Sequence, residues 1–337
     1  QWAALPWVKS QKDKIQWGQL TGSALSIAIA EGVKQQNDLV LIVTPDTPSA
    51  LRLETELEYL LPDNPVMVFP DWETLPYDHF SPHQDIISAR LATLNTLKNE
   101  QQSVLIVPVS TLMLRTAPAS FIYGSTLNFK VGDKLDTHNL RSNLEQAGYL
   151  NVQQVMEHGE YAIRGSIVDL YPMGSVHPFR LDFFDDELDS IRLFDVETQR
   201  SDEKVDKIEL LPAHEFPTNE ADVERFRINY RDKFGASSEQ DSVYMQVSKG
   251  TWPAGIEYYM PLFFEKLATI FDYLPNTTTV MQLGDLEHAA DTFWHDVNVR
   301  YENRKVDPLR PLLAPSELYQ PINELFSNLG EFSRIRL

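Results

Sequence analysis

The sequence predicts an α/β protein built on a parallel sheet, with a small α+β domain inserted into it or appended to it. Two observations carry this. Short, fully apolar runs alternate with helical stripes over the first 123 residues, and the hydrophobic period then switches to two between about residues 160 and 194. Leu39-Val40-Leu41-Ile42-Val43, closed by Thr44-Pro45-Asp46, has the unbroken apolarity of a strand buried on both faces. Pro48 to Leu61 follows as a helix, with Leu53, Leu57, Leu60 and Leu61 at helical spacing and Glu54, Glu56 and Glu58 between them. Val66-Met67-Val68-Phe69-Pro70 is a second buried strand. Asp85 to Leu97 is helical, with Ile87, Leu91 and Leu94 on one stripe and Asp85 where its charge suits the helix dipole. Ser103 to Val109 is a third apolar strand, and this alternation requires parallel pairing with helical crossovers.

The middle of the chain, residues 124–211, changes character. Asp136 to Gly148 reads as one helix, with Asp136 or Thr137 as its N-cap and Gly148 as its stop. Strands follow at Tyr161 to Tyr171, His177 to Phe184 and Leu188 to Phe194, the last two joined through the polar pair Asp185-Asp186. From Pro212 to Leu337 the pattern is helical and loop-rich, punctuated by Pro217, Pro253, Pro261 and Pro275. Strand character returns only from Thr277 to Leu283. Three segments result: 1–123, 124–211 and 212–337.

At 337 residues the chain has room for about two or three domains, and 42% hydrophobic and 11% aromatic residues can fill their cores. No apolar run approaches the ~20 residues of a membrane span, and the N-terminal residues have no signal-peptide core. The sequence opens without an initiator Met, which reads as an excised fragment. There is no cysteine, which removes disulfides, thiolate metal sites and Cys nucleophiles together and fits a reducing, cytoplasmic setting. Twenty-nine Lys and Arg face 49 Asp and Glu, a net charge of −20. Such a chain as a whole repels DNA, whose binding depends on cations that neutralise phosphates; the excess acid also serves solubility.

Leu20-Thr21-Gly22-Ser23-Ala24-Leu25-Ser26 stands before a helix-forming run, where an α/β protein would carry a phosphate loop. Such a loop needs a second glycine, a lysine for the β/γ-phosphates and a hydroxyl for Mg²⁺. Here Ala24 takes the glycine position, Leu25 the lysine position and Ser26 the hydroxyl position. Whether Gly22 marks a degenerate Walker A loop or merely opens a helix, nucleotide hydrolysis is not expected. Tyr77 to Asp85 bunches His79 and His83 with Asp78 and Asp85, but Pro82 breaks any shared helical face, so a turn capping the next helix is weighed above a metal site. His288, Asp291 and His295 share a helix face, yet the two histidines are two turns apart, too far for one ion.

One surface feature stands out. In Phe179-Arg180-Leu181-Asp182-Phe183-Phe184 the period of two sends Phe179, Leu181 and Phe183 inward and Arg180, Asp182 and Phe184 outward. A phenylalanine on the charged face is the anomaly, and Arg164 is the polar member of an alternating strand taken to be a neighbour. Arginine and aromatic residues are enriched at interface hot spots. The alternative is that the adjoining domain shields Phe184 while the arginines pair with Asp182 or Asp186.

Asp71-Trp72-Glu73-Thr74-Leu75-Pro76-Tyr77-Asp78, Ser81-Pro82-His83-Gln84-Asp85, Val155-Met156-Glu157-His158-Gly159-Glu160-Tyr161, Leu211-Pro212-Ala213-His214-Glu215-Phe216-Pro217, Gly255-Ile256-Glu257-Tyr258 and Asn303 to Pro311 resemble the N-terminal third of bacterial transcription-repair coupling factors. That region of the family is similar to excinuclease component B. The resemblance implies a degenerate helicase-like, P-loop/RecA-like parallel-sheet domain 1A (1–123), an inserted small α+β domain 2 (124–211), and a domain 1B (212–337) packing back on the first. It implies a non-catalytic recruitment module for nucleotide excision repair at stalled RNA polymerase. Domain 2 would dock excinuclease component A through Arg164, Arg180 and Phe184. The rival reading is a purely structural or autoinhibitory module that holds the full-length translocase closed. No cofactor is implied, ATP binding being lost: Leu25 stands at the phosphate-loop lysine position, the family relative's Asp-Glu pair falls near Leu283 and Gly284, and the chain between Tyr77 and Ile86 is too short for that relative's DNA-clamping hairpin. The protein's own C-terminal domain is implied as a mask over the docking face, and contacts with RNA polymerase and DNA as lying outside this chain.

Overall fold

The computed structural model describes residues 5–8, 12–18, 20–98, 102–135 and 137–337. The chain begins with β1 (Lys14–Gln16), α1 (Ser23–Val33), β2 (Val40–Thr44), α2 (Thr47–Leu60), β3 (Val66–Val68), α3 (Gln84–Thr96) and β4 (Val104–Pro108), then two short helices, α4 (Val109–Met113) and α5 (Ala119–Gly124). The small domain contains β5 (Leu127–Lys130), α6 (Thr137–Gln146), β6 (Leu150–Asn151), β7 (Glu160–Arg164), β8 (Ile167–Leu170), β9 (Phe179–Phe184), β10 (Glu187–Phe194), β11 (Ser201–Val205) and β12 (Lys207–Leu210). The remainder carries α7 (Glu220–Phe234), α8 (Val243–Ser248), β13 (Thr279–Gln282), α9 (Leu286–Arg304), α10 (Pro315–Leu318), α11 (Ile322–Gly330) and β14 (Ser333–Arg336).

Among the described residues, β1-β14-β13-β2-β4-β3 form one six-stranded sheet in that order, with every pairing parallel. The central strands are buried on both faces: Leu41 and Val43 of β2 enter one core while Val40 and Ile42 enter the other. That is the physical basis of the unbroken apolar runs, and the α/β architecture with an inserted domain is as expected. Helix α2 starts where Asp46 accepts from the Ser49 amide at 2.7 Å, with a proline in the first turn. At α3 the cap is His83, whose Nδ1 accepts from the Asp85 amide at 3.3 Å.

Several expectations are corrected. The strand at 66–70 is shorter and half-buried, because β3 is an edge strand. Tyr161 to Tyr171 is not one strand but the hairpin β7–β8, folded back at Gly165-Ser166 with Gly165 at φ +63°. Asp136, one of the two N-cap candidates for α6, lies outside the described residues. The weak strand signal in the last third is β13, fully buried in the middle of the main sheet, and β14 was not expected at all.

The small domain's principal sheet has the order β11-β10-β9-β8-β7-β6, antiparallel except for β6 against β7, while β12 pairs with β5 alone. The domain's Gly174 amide donates to Ser88 Oγ of α3 at 2.8 Å, and buried polar contacts tie the segments on either side of the domain to each other. Arg90 of α3 donates from Nε to Glu215 at 2.9 Å and from Nη1 to the Pro70 carbonyl at 2.7 Å, with its guanidinium 4.3 Å above the Phe69 ring. Trp72 Nε1 donates to the other Glu215 oxygen at 2.7 Å. Nearby, Ser81 Oγ accepts from the Gly255 amide at 2.9 Å and donates to Glu257 at 2.7 Å. Burial, with repulsion from Glu215 added, pushes the Glu257 carboxyl up to about 7. Tyr77 packs among Tyr258, Tyr301 and Tyr319 and donates to the Leu313 carbonyl at 3.0 Å. The motifs at 71–85 and 255–258 are therefore seams between the first and last thirds of the chain.

Candidate functional site

Strand β9 splits its side chains as the period of two demands. Leu181 and Phe183 are buried and Phe179 is half-buried, while Arg180, Asp182 and Phe184 face outward. Phe184 is 80% exposed, at the turn where Asp185 adopts φ +60°. It is not shielded by the adjoining domain. An exposed phenylalanine leaves apolar surface in water, as Tyr59, Val176 and Val306 also do.

The arginines are organised by a residue the sequence did not single out. Asp169, on β8, is 1% exposed and lies between them. Arg180 donates to it twice, Nε to Oδ1 at 2.6 Å and Nη2 to Oδ2 at 2.9 Å, and Arg164 Nη2 also reaches Oδ2. Arg180 further donates to the Gln199 carbonyl at 3.3 Å and stacks 5.3 Å from the Phe194 ring. The Asp169 hydrogen bonds hold its guanidinium above its ordinary pKa. The alternative pairing with Asp182 or Asp186 is not what Arg164 and Arg180 adopt: Asp182 instead accepts from Ser190 Oγ at 3.0 Å and lies 3.5 Å from Arg192 Nε. Nor is β7 the immediate neighbour of β9, since β8 stands between them. Arg164 and Arg180 are brought together through Asp169, but they differ in access, with side chains 49% and 17% exposed. The available signal was a carboxylate inside the apolar run Ile167-Val168-Asp169-Leu170, since a buried charge needs partners.

At the degenerate loop, Gly22 precedes α1 and both Ala24 and Leu25 are half-buried. The Ala24 and Leu25 amides point back to the Thr21 and Gly22 carbonyls at 3.3 and 3.2 Å. Buried Ser26 donates its hydroxyl to Glu56, a carboxylate brought in by α2. Leu283 and Gly284 follow β13, and a cavity of about 360 Å³ opens at the carboxyl ends of β1, β14 and β13. Its polar lining includes Asp285, Glu287 and Arg336, the last already engaged with Gln282 at 3.2 Å, a set poorly matched to an anion.

The histidines at 79 and 83 do not converge. His79 Nδ1 lies 2.6 Å from Arg310 Nη1, His83 caps α3, and Asp85 is 2.7 Å from His158. His288, Asp291 and His295 all lie on α9. Among the described residues no three His, Asp or Glu side chains are grouped to hold a metal ion. No described helix is long and apolar enough to cross a membrane.

Together these features define a helicase-like α/β protein with an inserted interaction domain. Residues 127–216 match the family of the UvrB interaction domain. Over 321 residues the chain is 53% identical to the transcription-repair-coupling factor of Escherichia coli (strain K12), covering 95% of this chain and 28% of that protein. It is 49% identical over 319 residues to that of Haemophilus influenzae, and 26% identical over 322 residues to that of Bacillus subtilis (strain 168). The resemblance to the N-terminal module of transcription-repair coupling factors, the part similar to excinuclease component B, is thereby borne out. The chain spans a little over a quarter of the length of these curated relatives, 28%, 28% and 27%.

Proposed function

We propose that this chain is a non-catalytic recruitment module that docks excinuclease component A and so brings nucleotide excision repair to DNA damage where RNA polymerase has stalled. The observation that carries the reading is Phe184, exposed on the sheet face that also carries an arginine pair anchored on Asp169, inside a match to the UvrB interaction domain. Arg164 and Phe184 make the contact, and Arg180 holds its shape. Domain 1A (1–123) and domain 1B (212–337) are the scaffold for domain 2 (124–211), with no cofactor and no nucleotide turnover. Polymerase and DNA are engaged by other parts of a longer, cytoplasmic protein, whose C-terminal domain masks the docking face until the motor engages.

The test is the affinity of purified excinuclease component A for the chain, wild type against Arg164→Ala and Phe184→Ala. Truncating a hot-spot residue costs about 2 kcal/mol, roughly thirtyfold in affinity. Equal binding by all three proteins refutes the docking assignment. Saturable micromolar binding of labelled ATP in equilibrium dialysis refutes the inactive loop.

A further inference from the structure

The outer face of the small sheet carries cations beyond Arg164 and Arg180. Cross-strand register sets Asp169, Arg180, Arg192 and Lys204 side by side on β8, β9, β10 and β11. With neighbouring strands about 4.8 Å apart, this row runs for roughly 14 Å across the sheet. Two packing facts fix which way its far members point. A bulge between Leu188 and Ser190 shifts the parity of β10, so that Leu188 and Ile191 stay in the core while Ser190 and Arg192 lie beside Asp182 and Arg180. On β11, Val205 packs against the same core, which turns the exposed Lys204 outward.

The charges in the row are unequally engaged. Asp169 is buried and already binds two arginines. Arg192 lies 3.5 Å from Asp182, but its buried Nε has no hydrogen-bond partner. Lys204 forms no ion pair among the described residues. In a chain of net charge −20, positive charge is thus gathered on one sheet face and left partly unmatched. Asp182 beside Arg192 and Glu187 opposite Phe184 interrupt that charge, and a phosphodiester backbone would meet these carboxylates as well as the cations. A protein surface can match such a pattern point by point.

We propose that Arg192 and Lys204 extend the docking face across β10 and β11, and that the partner is a protein presenting an acidic strip to this row. The inference rests on the docking reading above and adds two residues and the chemistry of the opposing surface.

The experiment measures the affinity of excinuclease component A for the whole chain at low and at physiological ionic strength. The proteins compared are wild type, Phe184→Ala, Arg192→Glu, Lys204→Glu and the double charge reversal, each checked by thermal melting. Each single reversal is expected to weaken binding about fivefold to tenfold, and the double variant to lose much of the wild type's salt dependence. Should Arg192→Glu melt early, the exposed Lys204→Glu carries the test. If Phe184→Ala weakens binding while both charge reversals bind as wild type, the extension is wrong and the docking reading stands; a lysine that only guards the open edge of β11 gives this result. If no variant weakens binding, the docking reading itself fails. Retention of a labelled DNA oligonucleotide by wild type, lost in Lys204→Glu, would make the occupant a nucleic acid and overturn the proposal.

Discussion

Arg90 Nε lies 2.9 Å from Glu215 Oε1 with both side chains sealed from solvent, tying α3 to the segment that follows β12. The pair is useful only as a pair, because a buried charge without its counterion has neither water nor Coulomb attraction to hold it.

Glu215→Ala strands the Arg90 guanidinium with the Pro70 carbonyl and the Phe69 ring. The expected loss is about 3–5 kcal/mol of stability. It is read as a lower urea midpoint at unchanged slope. The double replacement Arg90→Met/Glu215→Met should recover most of that loss, and a single variant as stable as wild type would contradict the account.

Asp169→Ala removes the shared anchor of Arg164 and Arg180. Stability should fall by on the order of 3 kcal/mol. Affinity for excinuclease component A should fall with it, although Asp169 is buried and cannot touch a partner. Unchanged affinity in a folded Asp169→Ala protein would show that arginine placement is irrelevant to docking.

Glu257 gives a pH dependence whose sign is fixed. Its ordinary value is 4.5 and burial raises it to about 7 in the fold. Below about 4.5 both folded and unfolded chains hold the proton. Between 4.5 and 7 only the unfolded chain releases it, so stability declines as pH rises, and above about 7 the decline is complete. Glu257→Gln should leave stability near pH 4 unchanged and raise it near pH 8 by on the order of 2–3 kcal/mol. Denaturation curves across that range decide it, and a difference that does not change with pH excludes Glu257 as the source.

Gly255 and Gly165 both adopt positive φ, +78° and +63°, but in different surroundings. A Cβ on Gly255 would lie 2.9 Å from the Asp78 carbonyl oxygen, whereas one on Gly165 meets open space. Gly165→Ala should cost about 1–2 kcal/mol for the backbone alone. Gly255→Ala should cost clearly more, since the seam must open as well, and thermal melts of the two variants side by side measure the difference.

The architecture was legible where one strand or helix declares itself. β2 and β4 are apolar on both faces because cores lie on both sides of them, and the split of Arg180 and Phe184 from Leu181 and Phe183 follows from pleat geometry. β1 and β14 are short and polar, Lys14-Ile15-Gln16 and Ser333 to Arg336; β1 is a strand only because β14 lies beside it, and β14 because it lies between β1 and β13. The partnership of Arg90 with Glu215 joins residues 125 positions apart, and no local pattern encodes it. The same holds for Asp169: its own strand looked apolar, and its two arginines lie on the strands to either side. The parity change in β10 depends on one bulge, invisible in a period of two.

The parallel pairing of β1 with β14 has a mechanical consequence. Tension applied between residue 14 and residue 336 pulls on opposite ends of two strands running the same way, so the bonds of Lys14↔Arg334 through Gln16↔Arg336 are loaded together in shear instead of being peeled apart one at a time. The small domain, threaded between β4 and β13, lies outside that load path. A pull along the chain therefore passes through the scaffold and leaves the face around Phe184 undeformed.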